Sequence, residues 1–291
     1  MGRIATTTAE QISLLKSRGM DLDIEETKVK ELLHDIGYYR LGFYWQPFEK
    51  DEEHNFIKGT KFSHVVNLYY LDVDLRHLLI KTLNRIEINF RTNVVYYVSN
   101  KYKHSPTWFI DNQVVSQSFI NNIGYQYNEQ FKRDNKVIQL HHNKYINDKF
   151  APAWKTLEFF TFGSILKLYS SLKDEDIQQR ISQKYDVKNV DKFKNLINTI
   201  IFVRNACAHG DVIFDLKTPK GISKLPQFDF HKNNRHSLDS AIRVMLFILG
   251  QISESRKNDL INELKELFDS QFKILEIRNI IEEKIGYNFD N

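Results

Sequence analysis

The feature that most constrains the fold is the segment from Lys61 to Lys101, which contains neither glycine nor proline. Its apolar side chains recur every three or four positions, beginning with Val65, Leu68 and Leu71, which is the period of an amphipathic α-helix. The part from Ile88 to Val98 is also rich in β-branched and aromatic residues, so a strand is conceivable there. Because the period is closer to 3.6 than to 2, the segment predicts one long helix, or two helices joined end to end.

Most of the remaining chain also has helical periodicity. A capping box of Thr8 with Gln11 begins a first helix that ends at Gly19, and Asp23 caps a second that ends at Gly37. Two or three short helices are predicted for 113–148, and further helices for 153–172 (interrupted at Gly163), 174–185, 187–209, 237–251, 257–268 and 274–285. Only 11 glycines and 5 prolines occur in 291 residues, which disfavours an all-β fold. The predicted fold class is all-α.

A loop from His104 to Asn112 is the best candidate for a boundary within the chain. It predicts an N-terminal helical region, 1–104, followed by a C-terminal helical bundle, 105–291. One compact unit is the alternative.

Charge, cysteine content and hydropathy limit the ligands and the cellular location that fit this chain. The formal net charge of +4 lacks the strong basic footprint of a duplex-DNA binder but leaves room for a local RNA-binding groove. A single cysteine, Cys207, excludes an intrachain disulfide. The longest apolar run, Val244 to Leu249, is far below the roughly 20 residues that span a bilayer. No signal-type stretch precedes Leu15, so a cytoplasmic protein without membrane contact is expected.

The segment from Arg204 to Gly210, RNACAHG, offers the clearest candidate chemistry. Asn205 and His209 are four residues apart and share one helical face, and the long side chain of Arg204 can reach the same cleft. Histidine can move a proton near neutral pH, while arginine binds phosphate oxygens. This combination suits RNA cleavage without metal or cofactor, in which a ribose 2′-hydroxyl attacks the adjacent phosphate and leaves a 2′,3′-cyclic phosphate and a 5′-hydroxyl.

Such chemistry needs more than one proton-transfer group, and one copy of the motif provides one histidine. A two-fold dimer would bring two copies face to face, so a homodimer with a composite cleft is predicted. The competing interpretation is that His209 only satisfies carbonyl groups at the end of its helix.

The Arg204–His209 segment resembles the HEPN ribonuclease motif, in which an arginine and a polar residue precede a histidine. Three further blocks occur in order: LHDIGYYRL with YWQPF, FIKGTKF running on to LDVDLR and RIEINFR, and PAWKTLE with FG. Together these blocks, over roughly residues 8–215, resemble the bacterial Abi family of AbiD/AbiF type, which is linked to abortive infection in phage defence.

The resemblance implies a HEPN-type helical bundle with additional N-terminal and C-terminal helices. It also implies RNA as ligand, growth arrest or defence as the outcome, and a small noncoding RNA as a restraining partner. The chain departs from the pattern at Asp211–Phe214, where a more basic or aromatic stretch is expected, and it carries no matching motif after about residue 216. These departures concern the residues that would contact the substrate, and not the catalytic residues.

Other residues are candidates for RNA binding or for support of the site. Arg85, Glu87 and Arg91 either contact phosphate and support Arg204, or form an ion pair around Glu87. Glu158 either orients Arg204 or faces solvent, one helical turn after Trp154, which is expected in the core.

The aromatic segment that begins at Tyr38 is a further candidate. Tyr39 would stack on an unpaired base and Arg40 would bind a phosphate. The alternative is an aromatic core, formed with Tyr44 and Trp45, that docks the N-terminal helices.

Several function classes find no support in the sequence. It contains no glycine-rich phosphate loop, nucleophile elbow or zinc-protease motif, and His34-Asp35 lacks the partner residues of a metal site. The leading hypothesis is a metal-independent endoribonuclease that acts in phage defence or as a toxin. The alternatives are a non-cleaving protein that holds a structured RNA in the same pocket, and a purely structural helical scaffold.

Overall fold

The computed structural model describes residues 4–271 and 273–287 and has an all-α architecture. Within these residues only isolated β-bridges occur and none extends into a strand. The fourteen described helices are α1 Thr8–Ser17, α2 Glu26–Asp35, α3 Tyr38–Trp45, α4 Phe62–Lys101, α5 Gln117–Gln126, α6 Glu129–Asp134, α7 Lys136–Lys144, α8 Ala153–Thr156, α9 Phe162–Ser171, α10 Glu175–Gln183, α11 Val190–His209, α12 Leu238–Ile252, α13 Glu254–Asp269 and α14 Leu275–Ile280. The predicted fold class is therefore confirmed.

Helix α4 is the central element of the molecule. It is a single helix over Phe62–Lys101, as one of the two sequence interpretations predicted, and the strand considered near Ile88 does not form. Helices α3, α9, α10, α11, α12 and α13 all pack against it. Its stripe of fully buried side chains, which includes Leu75, Leu83 and Phe90, explains why so many helices gather around it, because each buries its own apolar face there.

One continuous cluster of buried apolar side chains extends from Ile12 to Ile285. It includes residues on both sides of the predicted boundary near residue 104, and that boundary stays a prediction. No helix within the described residues is long and apolar enough to cross a membrane.

Two predicted helix starts are wrong. The capping box of α1 is formed by Thr7 and Glu10, one residue earlier than expected. Asp23 does not cap α2, which begins at Glu26; instead its carboxylate accepts hydrogen bonds from the backbone and side chain of Ser63, at 3.0 and 2.6 Å. Asp23 thus caps the first turn of α4 from a distant part of the sequence.

The region around α8 also differs from expectation. The predicted helix is broken at Phe160 and Thr161 rather than at Gly163, which lies inside α9. Trp154 was expected in the core, but it is 53% exposed. Helix α8 is only one turn long, so helical periodicity could not assign its faces.

Candidate active site

The candidate motif occupies the last turns of α11. Gly210 follows the helix with a left-handed backbone (φ 73°, ψ 25°), and the amide of Asp211 donates to the carbonyl of Ala206 at 2.9 Å. This is the C-terminal glycine motif that the sequence predicted, in which a residue without a Cβ takes the left-handed conformation. It ends α11 directly after His209.

The three predicted catalytic residues lie at the molecular surface. Arg204 is half-buried, whereas Asn205 and His209 are exposed. The Nη1 atom of Arg204 donates to the Oδ1 atom of Asn205 at 3.4 Å. His209 makes no hydrogen bond or ion pair with any described residue, so both of its ring nitrogens are free to meet a ligand.

A buried carboxylate lies at ion-pair distance from the Arg204 guanidinium, although the two closest atoms do not form a hydrogen bond. Glu87 on α4 pairs with Arg91 (Oε1 to Nη2, 2.7 Å) and with Arg204 (Oε2 to Nε, 3.2 Å). Arg91 also donates to the carbonyl of Phe160 at 2.9 Å. Two arginines therefore share one carboxylate as their counter-charge. This group of three side chains keeps a net positive charge beside the exposed face of Arg204.

Replacing Glu87 with glutamine should destabilise the protein by about 3 kcal/mol, because two partly buried guanidinium groups would lose their shared counter-charge. Chemical denaturation measures this change. The matched control is Glu263→Gln, which removes a carboxylate from an exposed pair with Lys81 and should have little effect. Equal stabilities for the two variants would contradict a structural role for the Glu87 charge.

The remaining predicted support residues differ in placement. Arg85 is half-buried, forms no ion pair with Glu87 or any other described residue, and has a buried Nε without a hydrogen-bond partner. Glu158 is exposed and forms no ion pair or hydrogen bond with Arg204, so it faces solvent. Tyr39 is 84% exposed. The structure thus brings Glu87 and Arg91 to Arg204, but not Arg85 or Glu158.

Arg40 lies at the end of α11. Its Nη2 atom donates to the carbonyl of Gly210 at 2.6 Å, and its guanidinium lies over the ring of Tyr44. A cation at this position satisfies a free carbonyl group and interacts favourably with the helix dipole. Tyr44 and Trp45 are buried, so much of this aromatic segment is core, while Arg40 links α3 to the motif.

Sequence reasoning missed a buried polar network that holds the chain just after His209. Asp72 is fully buried on α4 and pairs closely with Arg76. Its carboxylate accepts hydrogen bonds from the Tyr44 hydroxyl at 2.8 Å and from the amides of Ile213 and Phe214 at 3.0 and 2.7 Å.

Arg76 completes this network by donating to the carbonyl of Asp211 at 3.0 Å. Burial raises the pKa of the Asp72 carboxyl, although the Tyr44 hydroxyl and the Arg76 charge act in the opposite direction. The available signal in the sequence was a pair of opposite charges four residues apart beside the apolar stripe of α4. The network fixes the chain at the C-terminal end of α11.

The single cysteine lies inside the same helix turn but is not a nucleophile. Burial raises the pKa of the Cys207 thiol to about 12, so the thiolate is scarce at neutral pH.

We expect the native protein to react negligibly with a disulfide reagent at about pH 8, where an ordinary exposed thiol reacts readily. Absorbance of the released thiolate measures this; the denatured protein, which should react with one equivalent, is the control. Rapid reaction of native protein would contradict the burial.

The motif lies outside the main surface cavities of the described residues. Three surface cavities of about 920, 650 and 480 Å³ are lined by residues of other regions. Among the described residues no three His, Cys, Asp or Glu side chains come together as a metal site. Arg204, Asn205 and His209 therefore form an open, positively charged surface patch.

A family model described as "Abi-like protein" matches residues 31–215. This range contains the end of α11, Glu87 and Arg91, and the Asp72 network. No curated protein and no solved structure matches the chain.

Proposed function

The chain belongs to the Abi-like protein family, and from that premise we propose that it acts in abortive infection, as a phage-defence effector or toxin, by cutting RNA. The observation that carries the proposal is the exposed end of α11. There Arg204 forms an ion pair with Glu87, while Asn205 and the unpartnered His209 face solvent. We assign this cluster to the HEPN type of ribonuclease motif and the chain to the AbiD/AbiF type of the family.

The proposed reaction uses the RNA's own 2′-hydroxyl as the nucleophile. His209 takes the proton from the 2′-oxygen, or donates one to the departing 5′-oxygen. The 2′-oxygen forms a bond to phosphorus while the bond to the 5′-oxygen breaks, which gives a 2′,3′-cyclic phosphate and a 5′-hydroxyl. Arg204 stabilises the charge that develops on the phosphate oxygens. Asn205, which accepts a hydrogen bond from Arg204, orients that guanidinium.

A second proton-transfer group is supplied, in this proposal, by a second copy of the chain. The motif is exposed in one chain, and exposed apolar side chains are sequence neighbours of the residues that support it. Ile88 is 47% exposed and adjoins Glu87, while Phe159 is 38% exposed and adjoins Phe160, the partner of Arg91. A two-fold interface on this face would cover these side chains and bring two copies of His209 together.

We expect Ile88→Asp to convert the dimer into a monomer and to abolish cleavage, because a charge placed at the centre of an apolar interface is strongly disfavoured. Sedimentation measures the mass. The matched control is Ile261→Asp, on an exposed position of α13 (40%), which should remain dimeric. A wild-type chain that cleaves RNA as a monomer would contradict the composite cleft.

We further propose that a small noncoding RNA restrains the protein before activation, as the AbiF-type resemblance implies. Co-purification of the chain from its own cells, followed by sequencing of the bound RNA, tests this. A single abundant small RNA is expected, and recovery of only bulk transcripts would contradict it.

A non-cleaving RNA-binding protein is the second candidate. It is favoured by the lack of any described residue that orients the His209 ring, since a general base is usually held by a partner. Under this alternative the same positive patch holds a structured RNA.

Incubation of purified protein with single-stranded RNA in the presence of a chelator separates the two candidates. Cleavage predicts new ends with cyclic phosphates that are absent with Arg204→Ala. Binding by both proteins without new ends would contradict the ribonuclease proposal and favour the second.

A further inference from the structure

A second surface feature lies at the far end of α4 from the Asp72 network. A groove of about 650 Å³ runs between the C-terminal end of α4 and α10. The lining residues that matter here are Tyr96, Tyr97, Lys101, Lys103, Asp176 and Arg180. We call this feature the α4–α10 groove; none of the residues of the proposed active site lines it.

The aromatic part of the groove is already arranged as a platform. Tyr96 is 60% exposed, and its ring meets that of Tyr97 edge-on, with 5.3 Å between centroids. The guanidinium of Arg180 lies 5.3 Å from the Tyr97 centroid. An exposed tyrosine ring and a stacked guanidinium plane are the surfaces on which unpaired bases stack.

The charges of the groove favour binding of a negatively charged nucleic-acid strand. Lys101 is neutralised by its ion pair with Asp174. Lys103 and Arg180 are exposed and have no carboxylate partner among the described residues. They can therefore bind phosphates without first breaking an ion pair. Asp176 is the one carboxylate of the lining, and a carboxylate can accept a hydrogen bond from a ribose 2′-hydroxyl, which DNA lacks.

We propose that the α4–α10 groove binds a single-stranded segment of RNA, with a base on Tyr96 and phosphates against Lys103 and Arg180. The proposal rests on the proposed ribonuclease function and names where the substrate is held. Tyr97 lies about 15 Å from Glu87 along the axis of α4, at 1.5 Å per residue. One RNA strand can thus reach both the groove and Arg204.

The test measures RNA affinity in a background that does not cleave. Tyr96→Ala with Lys103→Ala is introduced into the His209→Ala protein, and fluorescence anisotropy reports binding of a short labelled single-stranded RNA. We expect the affinity to fall about tenfold or more, because one stacked base and one phosphate contact are lost. The slope of log affinity against log salt concentration should become shallower by about 0.7, the contribution of one phosphate contact on a single strand. An otherwise identical DNA should bind more weakly than the RNA, and Asp176→Ala should narrow that difference.

The matched control is Lys144→Ala with Tyr145→Ala. Lys144 also lies over the ring of an exposed tyrosine, at 5.2 Å, but outside the groove. Unchanged affinity in the control together with a loss in the groove variant supports the proposal. Equal affinities in the two variants would contradict RNA binding by the α4–α10 groove and would leave the ribonuclease proposal intact. If the parent protein binds no RNA even at low salt, both proposals are wrong.

Discussion

Replacing His209 with alanine is expected to lower the rate of RNA cleavage by about 100-fold to 10,000-fold, the usual contribution of a general acid or base. The fold should be unaffected, because the side chain is exposed and forms no hydrogen bond or ion pair with a described residue. Initial rates with a labelled RNA measure the effect, and thermal unfolding confirms that the variant is folded.

The matched control for this variant is His77→Ala. His77 is likewise exposed on a helix, one position after Arg76 on α4, so its removal tests whether any surface histidine matters. It should cleave like the wild type. A folded His209→Ala protein that retains full activity would show that the proton-transfer group is elsewhere.

Replacing Asp72 with alanine is expected to produce the largest loss of stability, about 4 kcal/mol or more. The change removes the counter-charge of the buried Arg76, which is strongly destabilising by itself. It also leaves the Tyr44 hydroxyl and the amides of Ile213 and Phe214 without their acceptor, and each unsatisfied buried donor adds a further cost.

Denaturant titration of Asp72→Ala should be compared with Asp74→Ala. Asp74 lies two residues further along α4 and is exposed, so its removal should change the stability by no more than about 0.5 kcal/mol. Similar stabilities for the two variants would contradict the view that the Asp72 network anchors the chain after His209.

The elements that the sequence predicted well depend on local signals. The length of α4 follows from an unbroken apolar period. The end of α11 follows from a glycine that can adopt the left-handed conformation directly after His209. Both signals lie within a few residues of the feature they determine, so periodicity and turn chemistry were sufficient.

The missed features depend on partners that are distant in the sequence. Asp23 caps α4 through Ser63, forty positions away, so local capping rules assigned it to the wrong helix. Asp72 meets Ile213 across 141 positions, and no periodicity predicts that contact. Glu87 was named as a candidate, but only the packing of α11 against α4 shows that it reaches Arg204.

The exposure of Trp154 has a different cause. Large aromatic side chains are usually buried, and the prediction followed that tendency. Helix α8 ends after one turn, so there is no apolar period over several turns that would show which face of this segment is buried.

The most direct test of the central claim is to map RNA ends in cells that express the wild-type chain or His209→Ala at equal levels. If Arg204 and His209 form a ribonuclease site, the wild type arrests growth and creates new 2′,3′-cyclic phosphate and 5′-hydroxyl ends, and the folded His209→Ala protein does neither. If both proteins arrest growth equally, or if neither creates new ends even under phage challenge, the claim that this site cuts RNA is contradicted.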